Sequence, residues 1–551
     1  VVYQPPPGYS PLKEILMSDR LRHLDPDAVF DAIIVGSGFG GLVTAGFLAK
    51  SGKRVLVLDQ HYVAGGCATI FKRREYEFDV GIHYLGDCEP NGLIPRIVRA
   101  AGAVDFEFEE MDPDGFDTLV FPDLTFRIPR GIEAFRDRLL DTFPKEARGI
   151  KRYIKLLYQL RRYNTLMGNP RAAWKILPRS MMLARWMNRT FGEFLDSCTD
   201  DPKLRAVITG QHGDYGQPPR KASLVLGAAL SLHYLEGAYF PKGGGQVLSD
   251  RLAESIEKNR GKILLRASVE KILIEDGRAV GVQFHNKHVG SRQLKAPIII
   301  SNADYKKTML DLVGAEHLQP DTVNRIKEYR MSPGLVALYL GINRDLKAEN
   351  HPRTNYWISD NYSVEGLYEM TEKGEFPGPG FGYISIASVK DPTNQKLAPE
   401  GITNLQVMGI APSSYISWGV DKEAYESGAY SRDPRYLAQK RRVSDALIET
   451  AERVFPGLKE QIVYQELSTP LTHTRYTRAS NGTSYGIALT PDQFLKNRPS
   501  SRTEIEGLYL CGASCRAGHG IAGVALSGLQ AAARVLGYGL IEEVMGPENK
   551  V

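Results

Sequence analysis

The sequence predicts an α/β protein in which a parallel-sheet domain, assembled from three separated segments, alternates with an α+β domain carrying a mixed sheet and a basic helical subdomain. Three observations carry that expectation. A strand, glycine turn, helix and strand follow one another at residues 31–61, a strand, glycine loop and helix at 506–537, and the chain of 551 residues exceeds a usual single core.

Residues 32–35 are a short apolar run suited to a buried strand, and 42–50 have the small and aliphatic spacing of a helix. Gly36, Gly38 and Gly41 between them fit G-x-G-x-x-G: the first permits a tight turn, the second lets backbone approach a pyrophosphate, and the third lets helix and strand pack closely. The helix N-terminus then faces the phosphates. A second strand follows at 54–58, and Asp59 at its carboxyl end can accept hydrogen bonds from a ribose hydroxyl, which disfavours a 2′-phosphate. Strand, glycines, helix, strand and acid in this order read as a Rossmann-like dinucleotide site.

Further along, the PKGGGQ segment (241–246) precedes an amphipathic helix expected over 247–259, then strands at 263–265, 268–275 and 279–284. Asp276-Gly277 is a hairpin signal between the last two. Residues 296–304 read as a buried strand that ends in polar side chains. At 508–511 another strand is expected, and Gly518, Gly520 and Gly523 lead into a helix from about 524 to 536. Its N-terminus would stabilise negative charge on a reduced flavin ring. One unit for the nucleotide and a distant loop closing over the ring is an arrangement for FAD. The expected FAD-binding domain therefore comprises 28–87, 230–305 and 480–545. The substrate domain comprises 88–229, with the basic helical subdomain, and 306–479, where 334–342, 383–387 and 404–410 read as strands.

Hydrophobic content of 42% with 24% charged residues describes a folded globular chain. The net charge of +5 is mild, and with no zinc-finger, RNP or basic-helix signature no nucleic-acid partner is expected. Five cysteines, Cys67, Cys88, Cys198, Cys511 and Cys515, favour reduced thiols and a cytoplasmic setting, and their spacing gives no metal site. No uninterrupted apolar run is long enough for a transmembrane helix, and residues 1–30 lack the apolar core of a signal peptide. The first residue is Val, which leaves room for an upstream segment. Residues 148–189 carry eleven Lys and Arg without an Asp or Glu, interleaved with Tyr153, Leu157, Trp174, Met181 and Trp186. Such a mixture suits a peripheral membrane anchor, and equally a solvated basic face over an ordinary helical subdomain.

GSGFGGL (36–42), DQHYVAGGCAT (59–69), PKGGGQ, SVEKI (268–272), SNAD (301–304) and CGASCRAGHGIAGVALSG (511–528) together resemble the phytoene-desaturase-type flavoproteins of the amine-oxidase superfamily. Within them, FDVGIHYLG (78–86), GQHGDYGQPP (210–219) and HYLEGAYFPKGG (233–244) resemble the retinol saturases most, and the 512–528 loop is also similar to that of plant-type carotenoid isomerases. The resemblance runs from about residue 30 to 540. It implies FAD, with Gly36, Ser37, Gly38, Phe39 and Gly41 at the pyrophosphate and Asp59 at the adenosine ribose. Gly66, Cys67 and Ala68 would lie near the pyrophosphate and ring, Val269 would meet adenine through its backbone, and Gly512, Gly520, Ile521 and Ala522 would border the ribityl chain and flavin. Cys67 stands where amine oxidases usually have Arg, and Ala513 where many relatives have Asp.

Flavin chemistry passes hydride to or from carbon while a proton is handled separately. GPGFG at 378–382 lacks the context of a second nucleotide site, so an external electron donor or acceptor is expected. Acid–base candidates are His83, His212, Asp214, Tyr215, His473, Tyr485 and His519. His519 lies inside the capping loop and His83 in the segment expected beneath the ring, which makes these two the catalytic candidates. The resemblance implies a retinol-saturase-like oxidoreductase acting on a carbon–carbon double bond of a hydrophobic isoprenoid, a retinoid or carotenoid. A carotenoid desaturase or cis–trans isomerase is the alternative on the same site. Carriers of the GDP-dissociation-inhibitor type share the glycine fingerprint without redox chemistry, and the C-terminal capping loop argues against them.

Overall fold

The computed structural model describes residues 29–168 and 181–546. Its first sheet has five parallel strands in the order Lys262–Leu264, Val55–Leu58, Ala32–Val35, Ile299–Ser301 and Leu508–Leu510. Ile34 stands opposite Val57 on one side and Ile300 on the other. Alternation of side chains across the pleat sends Ala32, Ile34, Val55 and Val57 into one core and Ile33, Val35, Leu56 and Leu58 into another. Both faces are covered, which is why these strands read as unbroken apolar runs. Helices Phe39–Lys50, Val247–Lys258 and Gly520–Leu536 cover the first face. An antiparallel meander, Ser268–Glu275, Arg278–Asn286 and Gly290–Lys295, lies with residues 305–329 over the second. Helix Leu93–Ala100, beyond the expected segment boundary at residue 88, also packs in the first of these cores through Ile94, Ile97 and Val98.

The second sheet is mixed and has seven strands, ordered Ile462–Ser468, Gly334–Ile342, Thr403–Ala411, Phe381–Ser385, Asn355–Ser359, Asp117–Val120 and Thr125–Ile128. All neighbours are antiparallel except Asn355–Ser359 with Asp117–Val120. Val336, Leu338, Leu340 and Ile342 face the core under helix Pro434–Glu452. The opposite face presents Tyr339, Trp357 and Tyr383 to the hairpin Ile70–Arg73 and Tyr76–Asp79 and to the helical subdomain. The space between the two domains is therefore walled by aromatic side chains.

In the helical subdomain, helix Ala147–Gly168 buries Ile150, Tyr153, Ile154, Leu157 and Leu160 and turns Lys151, Lys155, Arg161 and Arg162 outward. The apolar residues that interleave the basic ones here are core. Arg152 leans over Trp186 and Phe194, and Arg161 pairs with Glu236 at 3.1 Å. Arg171, Trp174, Lys175, Ile176, Leu177 and Arg179 lie outside the described residues. No helix among the described residues is long and apolar enough to cross a membrane.

Candidate active site

Both glycine units end at the carboxyl edge of the parallel sheet, where open α/β sheets hold ligands. Gly36 leaves its strand at φ +94°, a turn favoured by glycine. A Cβ on Gly41 would overlap the Gly36 carbonyl oxygen, and one on Gly38 would overlap Asn302 Nδ2. The second glycine pair abuts this turn: Gly65 N–H donates to Ser37 O at 2.9 Å, and a Cβ on Gly66 would stand 3.0 Å from Gly38 Cα. Asp59 is fixed beside them. Its Oδ2 accepts from the Ser37 N–H at 2.6 Å and hydroxyl at 2.7 Å, while Oδ1 accepts from His61 N–H at 2.7 Å. Ser37 is fully buried, so its side chain orients the acid. Phe39 and Ala68 are likewise buried. Val269 follows Ala267, whose N–H donates to Asp59 O at 2.8 Å.

Helix Gly520–Leu536 crosses Phe39–Lys50 at glycine contacts: Thr44 Oγ1 donates to Gly528 O at 3.1 Å, and a Cβ on Gly40 would stand 2.9 Å from Val524 O. Its first turn has no side-chain cap and no acid, Gly520 is exposed, and Ile521 and Ala522 are half-buried in the middle of the molecule. Asn302 fills the gap between the two glycine loops, its Oδ1 lying 3.0 Å from where a Gly40 or Gly512 Cβ would be. Cys67 opens onto the same cleft. Its side chain is accessible, yet protein surrounds it closely enough to push the thiol up to about 11. An accessible glycine turn, an uncapped helix start and a fixed acid facing one internal cleft fit an anionic dinucleotide with an attached ring.

Beside this cradle lies a cluster of buried aromatic and titratable groups. Tyr84 and Tyr234 stack at 4.1 Å, and Tyr485 and His519 at 4.4 Å. His519 stacks on Tyr485 and His83 meets Tyr383 edge to face, each with a buried ring nitrogen that has no partner among the described residues, Nε2 and Nδ1 respectively. Burial lowers both to about 3, so neither carries a spare proton near neutrality. Burial likewise keeps His212 neutral against the Tyr368 hydroxyl, at 2.9 Å, and His473 neutral at about 4. It holds the Tyr215 and Tyr485 phenols protonated.

The groups that titrate near neutrality are different ones. Burial raises Asp214 and Asp79 to about 7 and lowers Lys390 to about 7. The Tyr84 hydroxyl lies 2.6 Å from Asp214 Oδ2 and 3.0 Å from Asp117 Oδ2. One phenol proton cannot serve two carboxylates; protonated Asp214 donating to Tyr84, which donates on to Asp117, satisfies all three. Asp117 also accepts from Gln211 Nε2 at 2.7 Å and Asn355 Nδ2 at 2.8 Å, which suits the ionised acceptor. Lys390 donates to His83 O at 2.7 Å and Ser385 Oγ at 2.8 Å and feels the charges of Asp117, Asp79 and Asp214. Of this set, sequence reasoning found Asp214 alone. Lys390 and Asp117 sit in segments without a motif, while Tyr84 lies in FDVGIHYLG and Asn302 in SNAD, stretches that carried the resemblance without marking either residue.

An NAD(P)-binding Rossmann-like domain model matches residues 34–101. With the two-domain geometry, this defines the class of fold: a Rossmann-like dinucleotide domain within an amine-oxidase-like architecture. The fold is shared with an oxidoreductase from Methanosarcina mazei, at TM-score 0.61 and 16% identity over 92% of this chain and 99% of that one. It is shared too with cyclohexylamine oxidase from Brevibacterium oxydans, at TM-score 0.55 and 16% identity over 94% and 99%. Within that class the chain is a homologue of two groups of enzymes. It is 28% identical over 506 residues to all-trans-retinol 13,14-reductase of Danio rerio, covering 88% of this chain and 82% of the relative. It is 29% identical over 522 residues to chloroplastic prolycopene isomerase 1 of an Oncidium hybrid cultivar, covering 92% and 84%.

Proposed function

We propose that this protein is an FAD-dependent oxidoreductase that reduces a carbon–carbon double bond of a retinoid or carotenoid. The observation that carries the reading is the glycine cradle and uncapped Gly520 turn beside a buried aromatic cluster that holds a proton on Asp214, in a chain similar over most of its length to retinol reductases. When bound, FAD would supply the two-electron hydride chemistry at this junction. Gly36, Gly38, Gly41 and Gly66 would border its pyrophosphate, Asp59 its ribose, Val269 its adenine, and Gly512, Gly520, Ile521 and Ala522 its ring end, with Cys67 alongside.

The protein's own part is threefold. Tyr84, Tyr234 and Tyr485 offer flat apolar faces to a conjugated chain and exclude water from it. Helix Leu224–Leu235, with Val225, Leu226, Ala229 and Leu230 half-buried, ends at His233 and Tyr234 and gives an apolar approach to the cluster. Tyr84 would give its hydroxyl proton to the substrate carbon instead of to Asp117 and take the proton of Asp214 in its place, leaving Asp214 ionised, while neutral His83 and His519 do not compete for that proton. The outward basic face of helix Ala147–Gly168 would hold the protein against an anionic membrane from which such a substrate comes. An external electron donor completes the cycle.

A second reading, cis–trans isomerisation of a carotenoid, rests on the equally long similarity to the prolycopene isomerases. Product mass separates the two: incubating reduced enzyme with retinol yields a product heavier by a pair of hydrogens if the first holds, and an isomer of unchanged mass from a carotenoid if the second does.

A further inference from the structure

A cavity of about 580 Å³ lies behind the loop at 512–518, on the outer side of strand Leu508–Leu510, and plays no part in the chemistry above. Its rim and wall carry Arg325, Arg330, Lys496, Arg498, Arg502 and Arg516 against Glu328, Asp492 and Glu504. Two of the three acids are engaged. Asp492 pairs with Arg330 at 2.7 Å, and Glu504 accepts from Gln319 N–H and Thr322 Oγ1, both at 2.7 Å, at the start of helix Pro320–Glu328. Arg325, Lys496, Arg502 and Arg516 have no ion pair among the described residues. Deepest stands Arg498, 2% exposed, whose guanidinium donates, among the described residues, only to neutral carbonyls: Cys515 O at 3.0 Å, Ile487 O at 2.9 Å, Ala488 O at 3.3 Å and Ala513 O at 2.7 Å.

A buried cation without a carboxylate is costly, and burial pulls Arg498 down to about 10. Beside this one buried cation, the exposed heads of Arg325, Lys496, Arg502 and Arg516 line the rim, and with two of the three acids engaged elsewhere the cavity carries an excess of positive charge that an anion offsets. Among polar side chains such as Thr322, Gln493, Asn497 and Thr503, one part of the wall is apolar. Tyr305 and Tyr329 meet edge to face at 5.9 Å, backed by Met309 and Leu510. Cationic forks beside an aromatic surface recognise a phosphoryl group attached to a planar ring.

We propose that this cavity is a second ligand site, separate from the dinucleotide cradle, for a small phosphate-bearing molecule of nucleotide type. Arg325 and Arg502 grip the phosphoryl oxygens at the rim, and Arg498 connects the occupant to the Ala513 and Cys515 carbonyls of the loop that borders the cradle. The proposal does not depend on which substrate is reduced.

The test uses protein loaded with excess FAD, so that the cradle is filled, titrated calorimetrically with ADP and separately with inorganic pyrophosphate. Saturable binding of ADP that weakens about tenfold or more in Arg325→Glu and Arg502→Glu, both still retaining FAD, supports the site. Equal binding of pyrophosphate assigns the recognition to the phosphoryl group alone, and weaker binding assigns a share to the tyrosine wall. Absence of saturable binding by either probe overturns the proposal, as does binding that both substitutions leave unchanged.

Discussion

Gly38 and Asn302 allow the cradle to be separated into its packing and its ligand-binding parts. Gly38 has φ −57° and ψ 160°, a conformation open to any residue, so Gly38→Ala acts through volume alone. The added methyl overlaps Asn302 Nδ2, and the Asn302 Oδ1 on the other side of the amide is engaged by the Cys511 thiol at 3.5 Å. Overpacking of this kind costs about 1–3 kcal/mol. Asn302→Ala removes the obstacle, so a double-mutant cycle on apo-protein denaturation should return a coupling of about 1–3 kcal/mol. FAD affinity behaves differently, because the methyl of Gly38→Ala still stands in the turn where the pyrophosphate approaches. We expect Gly38→Ala and the double variant alike to bind FAD at least about tenfold more weakly, measured by quenching of flavin fluorescence, a loss of about 1.4 kcal/mol. Recovery of FAD affinity along with stability in the double variant would refute the reasoning, since Gly38 would then serve only to make room for Asn302.

Asp214, raised to about 7, holds its proton below that pH, so reduction should slow as pH rises through neutrality. In Asp214→Asn the rate should fall by about a hundredfold or more and that limb flatten, which a pH–rate profile of product formation reads. Lys390→Met removes the bond to His83 O and the cation near Asp79 and Asp214; the neighbouring acids should rise further and the limb should move to higher pH. Replacing Lys151, Lys155 and Arg162 with Glu should reduce cosedimentation with phosphatidylserine vesicles, by about 1 kcal/mol per charge removed, without loss of FAD. Unchanged cosedimentation would leave that face a solvated one.

How much of this was readable follows from how locally each feature is encoded. The Gly36–Gly41 turn and the Gly512–Gly528 loop each lie within about one supersecondary unit, and the same stretch that shapes the backbone supplies the glycines that make it possible. Strand Gly334–Ile342 was equally plain, being apolar on both faces. Strands Asp117–Val120 and Ile462–Ser468 were not: the first carries the buried Asp117 and the second is a partly exposed edge strand with mixed polarity. The helix after the C-terminal glycine loop starts at Gly520 rather than near 524, because the glycines that look like loop form its first turns. The proton-holding network was hidden for a different reason. Asn355 and Asp117 are 238 residues apart, and Tyr84 and Asp214 are 130 apart, so no window of sequence shows them together. Burial, which shifts Asp214 and Lys390 toward neutrality and His83 and His519 away from it, is a property of the assembled domains.

The central claim is tested most directly by incubating FAD-loaded, dithionite-reduced protein anaerobically with all-trans-retinol and, separately, with a cis-carotenoid. Flavin absorbance and product mass are followed together. The account predicts that retinol gains a pair of hydrogens as the flavin is reoxidised. Flavin that stays reduced, with both substrates recovered unchanged in mass and in chromatographic retention, would contradict it.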